Sequence, residues 1–291
     1  MNYDGDIIRP PSEANSIIIQ VTVGCSHNKC TFCGAYKDGT KKFRIRNDRE
    51  IRENILLAAK YGSRQKRIFL ADGDALILSQ KRLIRIFSLL REHLPQARRI
   101  ALYGNGKAIR SKSLAELTEL KQLGLHRIYM GMESGDNQTL QDIRKGESAD
   151  SLIRAAHLAR DADIFLSVTV LLGVAGRTNS LLHARKTGEI VSKMMPRQIA
   201  ALCLMPLANT PLGIQYNSGE FQLPDATGML LELKELIKSI NCKQVQFNAN
   251  HASNYLPISG ILTRDRDRLL NKIDQALLGT QPLVPDYYRA L

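Results

Sequence analysis

Six short runs of apolar and β-branched residues, at 16–23, 68–71, 100–103, 126–130, 164–172 and 198–205, alternate with stretches of helical spacing, and this alternation constrains the fold most. The intervening helices are expected at 48–59, 80–93, 113–123, 137–144, 150–160 and 181–194, with Gly62 and Gly124 closing the first and third. Strands separated by helices imply consecutive right-handed βαβ units and a parallel sheet. Short runs dominated by apolar and β-branched residues fit strands covered on both faces. A chain of 291 residues suffices for one α/β barrel domain. In such a sheet ligands gather beyond the carboxyl ends of the strands, so each motif is judged by whether it follows a strand.

One motif does so at once. Cys25, Cys30 and Cys33 lie on a single short loop after the first strand, within Val23-Gly24-Cys25-Ser26-His27-Asn28-Lys29-Cys30-Thr31-Phe32-Cys33-Gly34. Three thiolates this close can converge on one metal centre and hold three irons of a cubane cluster. Zinc is the alternative, although structural zinc sites normally take four protein ligands, and Cys203 and Cys242 lie far off and unpaired in sequence. Five cysteines, an odd number, speak against a disulfide framework.

Cys25-x4-Cys30-x2-Cys33, with Phe32 before the last cysteine and Gly34 after it, resembles the cluster loop of the radical S-adenosylmethionine (SAM) enzymes. The usual family spacing has three residues in the first gap, so the four here are an insertion. The resemblance runs to about residue 212 and extends to the methylthiotransferase and oxygen-independent coproporphyrinogen oxidase branches. It implies a partial (βα)6 barrel over 16–212, outside which lie a lead-in at 1–15 and a C-terminal extension at 213–291 that is expected, from its own residues, to cover the barrel mouth. It further implies a 4Fe-4S cluster whose open iron chelates SAM, reductive cleavage to a 5'-deoxyadenosyl radical, and an outside reductant such as flavodoxin or ferredoxin.

The remaining strand ends are read against that resemblance. Asp72-Gly73-Asp74 stands where the family usually has Gly-Gly-Glu, and would meet the SAM ammonium through carbonyls and carboxylates; as a plain tight turn it needs no function. Asn105, in Tyr103-Gly104-Asn105-Gly106-Lys107, would contact SAM or substrate, with a plain glycine-rich turn an equally good account. Gly131-Met132-Glu133-Ser134-Gly135 is similar to the family's Gly-x-Glu-Ser-Gly segment, which assigns Glu133 and Ser134 to SAM; a helix cap is the other reading of Ser134. Gly173, in the turn Gly173-Val174-Ala175-Gly176, is similar to the adenine-contacting segment, and Arg177 replaces the usual acidic or amide residue, putting a cation near a substrate carboxylate or phosphate or merely capping the turn. Pro206 to Leu212 is similar to a Pro-Gly-Thr-Pro-Leu turn and reads mainly as a proline-fixed turn.

Forty-one Lys and Arg against 28 Asp and Glu give a net charge of +13, enough to concentrate anionic partners. Lys37, Lys41, Lys42, Arg44, Arg46, Arg49 and Arg52 form a basic segment after the cysteine loop that is either solvated surface or attraction for a nucleic acid or polycarboxylate. The substrate is thus a small molecule or RNA. No run approaches the roughly 18 apolar residues of a membrane span, and the start lacks a signal-peptide core, so a cytoplasmic protein without membrane attachment is expected. Helices are expected at 226–240 and 264–277. Between them, His251 and Tyr255 lie in a stretch rich in hydrogen-bonding groups, expected to meet substrate as proton donor or radical quencher unless it is an ordinary surface loop. The competing functions are tRNA modification, a coproporphyrinogen-oxidase-like decarboxylation, and a non-catalytic iron-sulfur or zinc carrier.

Overall fold

The structure is a computed structural model that describes residues 1–37, 42–62 and 64–290; Lys41 of the basic segment lies outside the described residues. The chain forms two compact units, the first of Met1–Asn28, Ala35–Met130 and His157–Leu166, the second of Lys29–Gly34, Gly131–Ala156 and Ser167–Leu291. Among the described residues no helix is long and apolar enough to cross a membrane.

The first unit follows the expected βαβ order. Strand β1 (Ile17–Gln20) is succeeded by a two-residue ribbon, β2 (Thr22–Val23) with β3 (Arg44–Ile45), then α1 (Asp48–Tyr61), β4 (Arg67–Ala71), α2 (Gln80–His93), β5 (Arg99–Tyr103), α3 (Gly106–Arg110), α4 (Leu114–Gln122) and β6 (Leu125–Glu133). β1, β4, β5 and β6 pair in parallel in that order, with Ile17 opposite Ile68 and Ile68 opposite Ile100. Asn47 and Ser113 start α1 and α4 with complete capping boxes to Glu50 and Glu116. The run 16–23, expected as one strand, divides at Val21, whose N–H donates to Ala71 and whose carbonyl accepts from Arg46. The antiparallel ribbon thereby pins the base of the cysteine loop, Thr22 against Ile45 and Val23 against Arg44. Phe69, Ala71, Ala101 and Tyr129 form an inner apolar cluster with Ile7, Ile18 and Tyr103 packed on it. Phe69 is fully buried, which contributes about 1.5–3 kcal/mol for its side chain.

The second unit carries α5 (Asn137–Asp142), most of α6 (Ala149–Asp161) and β7 (Phe165–Leu172), then α7 (Gly176–Met194), β8 (Gln198–Cys203), α8 (Pro211–Asn217), α9 (Ala226–Ser239), β9 (Gln246–Ala249), β10 (Ile258–Ile261) and α10 (Leu262–Leu277). β7, β8 and β9 pair in parallel, and β10 closes antiparallel on β9. The sequence reading has neither β9 nor β10, because four-residue strands holding Gln246, Asn248, Ser259 and Gly260 offer no apolar run; alternation alone buries Phe247 and Ala249. Where a proline turn was expected, Thr210 caps a short helix by accepting from the Gly213 N–H. Ile143, Leu171, Val174, Leu204 and Leu212 make an apolar cluster that Phe32 joins.

Candidate active site

In the first unit, two buried carboxylates hold the residues on either side of Cys25. Asp72, at the end of β4, accepts from the Gly24 N–H at 3.3 Å and from the Tyr36 hydroxyl at 2.5 Å, while its own N–H donates to Thr22 at 3.1 Å. Asp74 accepts from the Ser26 hydroxyl and, at 2.7 Å, from the Asn105 amide. Both aspartates are 0% exposed, and both oxygens of each accept hydrogen bonds, an arrangement suited to the ionised form. Burial, reinforced by Asp72, pushes the Tyr36 phenol above its usual range. Gly73 is the close approach between them: an added Cβ would lie 2.9 Å from the Tyr36 ring and 3.2 Å from the Cys25 Cβ. Asn105 is fully used as the N-cap of α3, its Oδ1 accepting from Ala108 at 2.8 Å.

In the second unit, residues 30–34 are seated by their backbone and by one ring. The Thr31 N–H donates to Ile143 and its carbonyl accepts from Leu212, each at 3.0 Å, and Phe32 lies in the apolar cluster between them. Among the described residues no cysteine is joined in a disulfide, and Cys25, Cys30 and Cys33 are half-buried.

Glu133 ends β6 in a left-handed conformation, φ 66°, which is strained by about 1–2 kcal/mol for a residue other than glycine. Its Oε1 accepts from the Lys145 ammonium at 3.0 Å. Ser134 does not cap a helix, a role that Asp136 takes for α5; it shares a 2.8 Å hydrogen bond with His183 Nδ1. On the ring's other side His183 Nε2 lies 3.4 Å from Glu232, which also accepts from the Gly173 N–H at 2.7 Å and from the Ser180 hydroxyl. Burial lifts the Glu232 carboxyl to about 7 and lowers the His183 imidazole to about 4, so the ring is neutral near pH 7. Gly173 has φ 82° and faces Met229, so this turn belongs to a glycine on both counts. Arg177 is exposed in the first turn of α7, and its backbone N–H donates to Gln222.

His251 is half-buried between β9 and β10, its Nδ1 accepting from the Ser253 N–H at 3.1 Å. Tyr255 lies under the Arg289 guanidinium, 3.6 Å from its ring centre. The Asn254 amide donates to the Ala201 carbonyl at 3.0 Å, beside Cys203, whose thiol burial pushes up to about 12. Tyr36, Lys145, His183 and Glu232 escaped the sequence reading; of these only Tyr36, three residues past Cys33, carried a signal in its position.

Three soft sulfur donors on one loop, with no fourth cysteine beside them in sequence, suit a cluster with three cysteine-held irons. Among the described residues no three His, Cys, Asp or Glu side chains are gathered to ligate a single ion; a cubane instead asks one thiolate of each iron. The family model of the radical SAM superfamily matches residues 19–184, more than half of the chain. The chain therefore belongs to the radical SAM superfamily, enzymes that use a 4Fe-4S cluster and SAM. It is 25% identical over 162 residues to a protein of Methanocaldococcus jannaschii provisionally named a methylthiotransferase, covering 55% of this chain and 35% of that one. It is likewise 25% identical over 153 residues to the hopanoid C-3 methylase of Methylococcus capsulatus, covering 53% and 28%. The chain thus spans about a third of the length of the curated relatives it matches. Coproporphyrinogen III oxidase from Escherichia coli, a radical SAM enzyme, shares the fold with a TM-score of 0.55 at 17% identity, over 77% of this chain and 51% of the other.

Proposed function

We propose that Cys25, Cys30 and Cys33 hold a 4Fe-4S cluster and that the chain binds SAM for hydrogen abstraction from an organic substrate. The observation that carries this reading is the bracing of Cys25 from both sides by buried aspartates. When bound and reduced by a donor such as flavodoxin or ferredoxin, the cluster supplies the electron that cleaves SAM to methionine and a 5'-deoxyadenosyl radical.

The chain's own residues then position and enclose. Asp72 and Asp74 keep Gly24 and Ser26, and so Cys25, in place, while Phe32 anchors the later part of the loop in an apolar cluster. Asp72 and Asp74 thus act on the cysteine loop, and the Asp72-Gly73-Asp74 backbone remains to meet the SAM ammonium. Glu133 accepts from SAM through Oε2, for its Oε1 already has Lys145. Ser134 and Gly173 hold the two adjoining turns through the His183–Glu232 chain. Asn105 contributes through Asp74. Arg177 offers its exposed cation to an acidic substrate, and His251 and Tyr255 act on the substrate side, beyond a core ending near residue 212.

Anaerobic reconstitution tests the reading: about four irons per chain are expected, lost on changing any one of Cys25, Cys30 or Cys33 to Ala and retained when Cys203 or Cys242 is changed. Tightly bound zinc without iron uptake would overturn it. His251→Ala and Tyr255→Phe are expected to keep iron content and substrate-free SAM cleavage while lowering product formation.

A further inference from the structure

The first unit carries a second chemically distinctive edge, at the end of its strands opposite Asp72 and Asn105. Three neighbouring parallel strands begin with paired basic residues, Lys66-Arg67 at β4, Arg98-Arg99 at β5 and His126-Arg127 at β6. Arg67 is the direct register partner of Arg99, and Arg127 pairs with Ala101 one step along. Strands lie about 4.8 Å apart, and like charges side by side on a sheet are destabilising. Each arginine precedes by two residues a member of the inner apolar cluster, Phe69, Ala101 or Tyr129, so the three start from the same sheet face.

Little within the chain neutralises them. Among the described residues no carboxylate forms an ion pair with Lys66, Arg67, Arg98, Arg99 or Arg127. Arg67 donates to the Ser12 carbonyl at 3.3 Å, and Arg127 donates to the Tyr129 hydroxyl at 3.1 Å. The one buried acid nearby, Glu13, is taken up by the hydroxyls of Tyr129 and Ser16. Lys121 is matched by Asp163. Besides burial, Arg99, Arg127 and Lys121 all depress the His126 imidazole, an independent sign that cations crowd this edge.

Aromatic faces lie among the cations. Arg127 stacks 4.0 Å from the Phe165 ring centre, and Phe165 lies 6.2 Å from His126 at a 31° tilt, both rings half-exposed. Arginine forks match phosphate oxygens, and π faces take unpaired bases of any sequence. Insertion into a membrane surface would call for a broader apolar face than these two rings provide.

We propose that this edge docks single-stranded RNA, with Arg67 and Arg99 on successive phosphates, Arg98 adding charge just before β5, and a base against His126 and Phe165. The surface is separate from the cysteine loop, and its failure would leave the cluster reading untouched.

The test is fluorescence anisotropy of a labelled uridine-rich oligoribonucleotide on the reconstituted full chain. Arg98→Glu with Arg99→Glu alters two exposed side chains that form no ion pair among the described residues, and Arg154→Glu with Lys238→Glu makes the same charge change at exposed positions of the second unit. The strand-edge pair is expected to bind at least about tenfold more weakly at about 50 mM salt, with a log–log salt slope smaller by about 1.4, since each single-strand phosphate contributes about 0.7. The second-unit pair is expected to lose less than about threefold. Phe165→Ala should weaken binding about fivefold, one stacked base. Equal losses from both charge pairs, no RNA binding by the native chain, or displacement of RNA by vesicles of anionic phospholipid would each overturn the proposal.

Discussion

The turn after β4 and the turns after β6 and β7 all bury carboxylates at strand ends, yet they hold them in opposite ways. Asp72 and Asp74 accept from several neutral donors, the backbone N–H of Gly24 and Asn105 and the side chains of Tyr36, Ser26 and Asn105. Glu133 has a lysine on one oxygen and a left-handed backbone, and Glu232 shares its surroundings with a neutral histidine. A carboxylate whose lone pairs all face fixed protein donors is a brace. One held on a strained backbone by a single cation keeps a lone pair for a ligand, as strain stored at a functional position suggests. In the first unit, therefore, the acids hold the residues flanking Cys25; in the second, Glu133 is held by a lysine and Glu232 is the carboxyl that burial raises.

The severest break in this contrast is Asp72→Ala. It strands the Gly24 N–H and the Tyr36 hydroxyl, and should cost about 3 kcal/mol or more of stability with loss of reconstituted iron, read by thermal unfolding and iron assay. Asp72→Asn keeps the shape and one acceptor and should lose less; full native stability and iron content in Asp72→Asn would show that Asp72 merely fills space.

Glu232→Gln should act chiefly at high pH. A carboxyl raised from 4.5 to about 7 holds its proton more tightly folded than unfolded, so the native chain loses stability as pH climbs from 4.5 to 7, and the loss is complete above 7. At 1.36 kcal/mol per unit this amounts to roughly 3 kcal/mol, and the Gln variant escapes it. His183, displaced downward, costs stability in the other direction as pH falls from 6.5 toward 4 and is common to both chains. The difference in melting temperature between variant and native chain should therefore grow between pH 5 and 8; a flat difference would remove Glu232 from the titrating group.

Glu133→Ala should weaken SAM binding by about tenfold, near 1.4 kcal/mol, without changing iron content, as measured by calorimetry on the reconstituted protein. Unchanged affinity would return Glu133 to the braces. The smallest effect isolates the strain: Glu133→Gly should be about 1 kcal/mol more stable than Glu133→Ala, because only the former relaxes at φ 66°.

The parts legible in the sequence were those carried by local pattern. The six apolar-rich runs anticipated the parallel strands because burial on both faces favours apolar and β-branched residues at most positions, and β9 was missed because its burial rests on alternation of Phe247 and Ala249 among polar neighbours. The thiols of Cys25, Cys30 and Cys33 were legible because their chemistry needs only proximity along the chain. Asp72, Asp74, Asn105, Glu133 and Ser134 were found by position after a strand, and position said nothing of what each side chain faces.

By itself, then, the sequence determined the succession of strands and helices, the sulfur donors and the strand ends that carry polar residues, all consequences of composition over a few neighbouring positions. Only the tertiary structure decided that Asp72 meets Gly24 and Asp74 meets Ser26, each 48 residues apart, or that Glu232 reaches Gly173 across 59. Those pairings depend on strand register and helix packing, and a hydrogen bond set by register leaves no periodic trace in the chain that makes it.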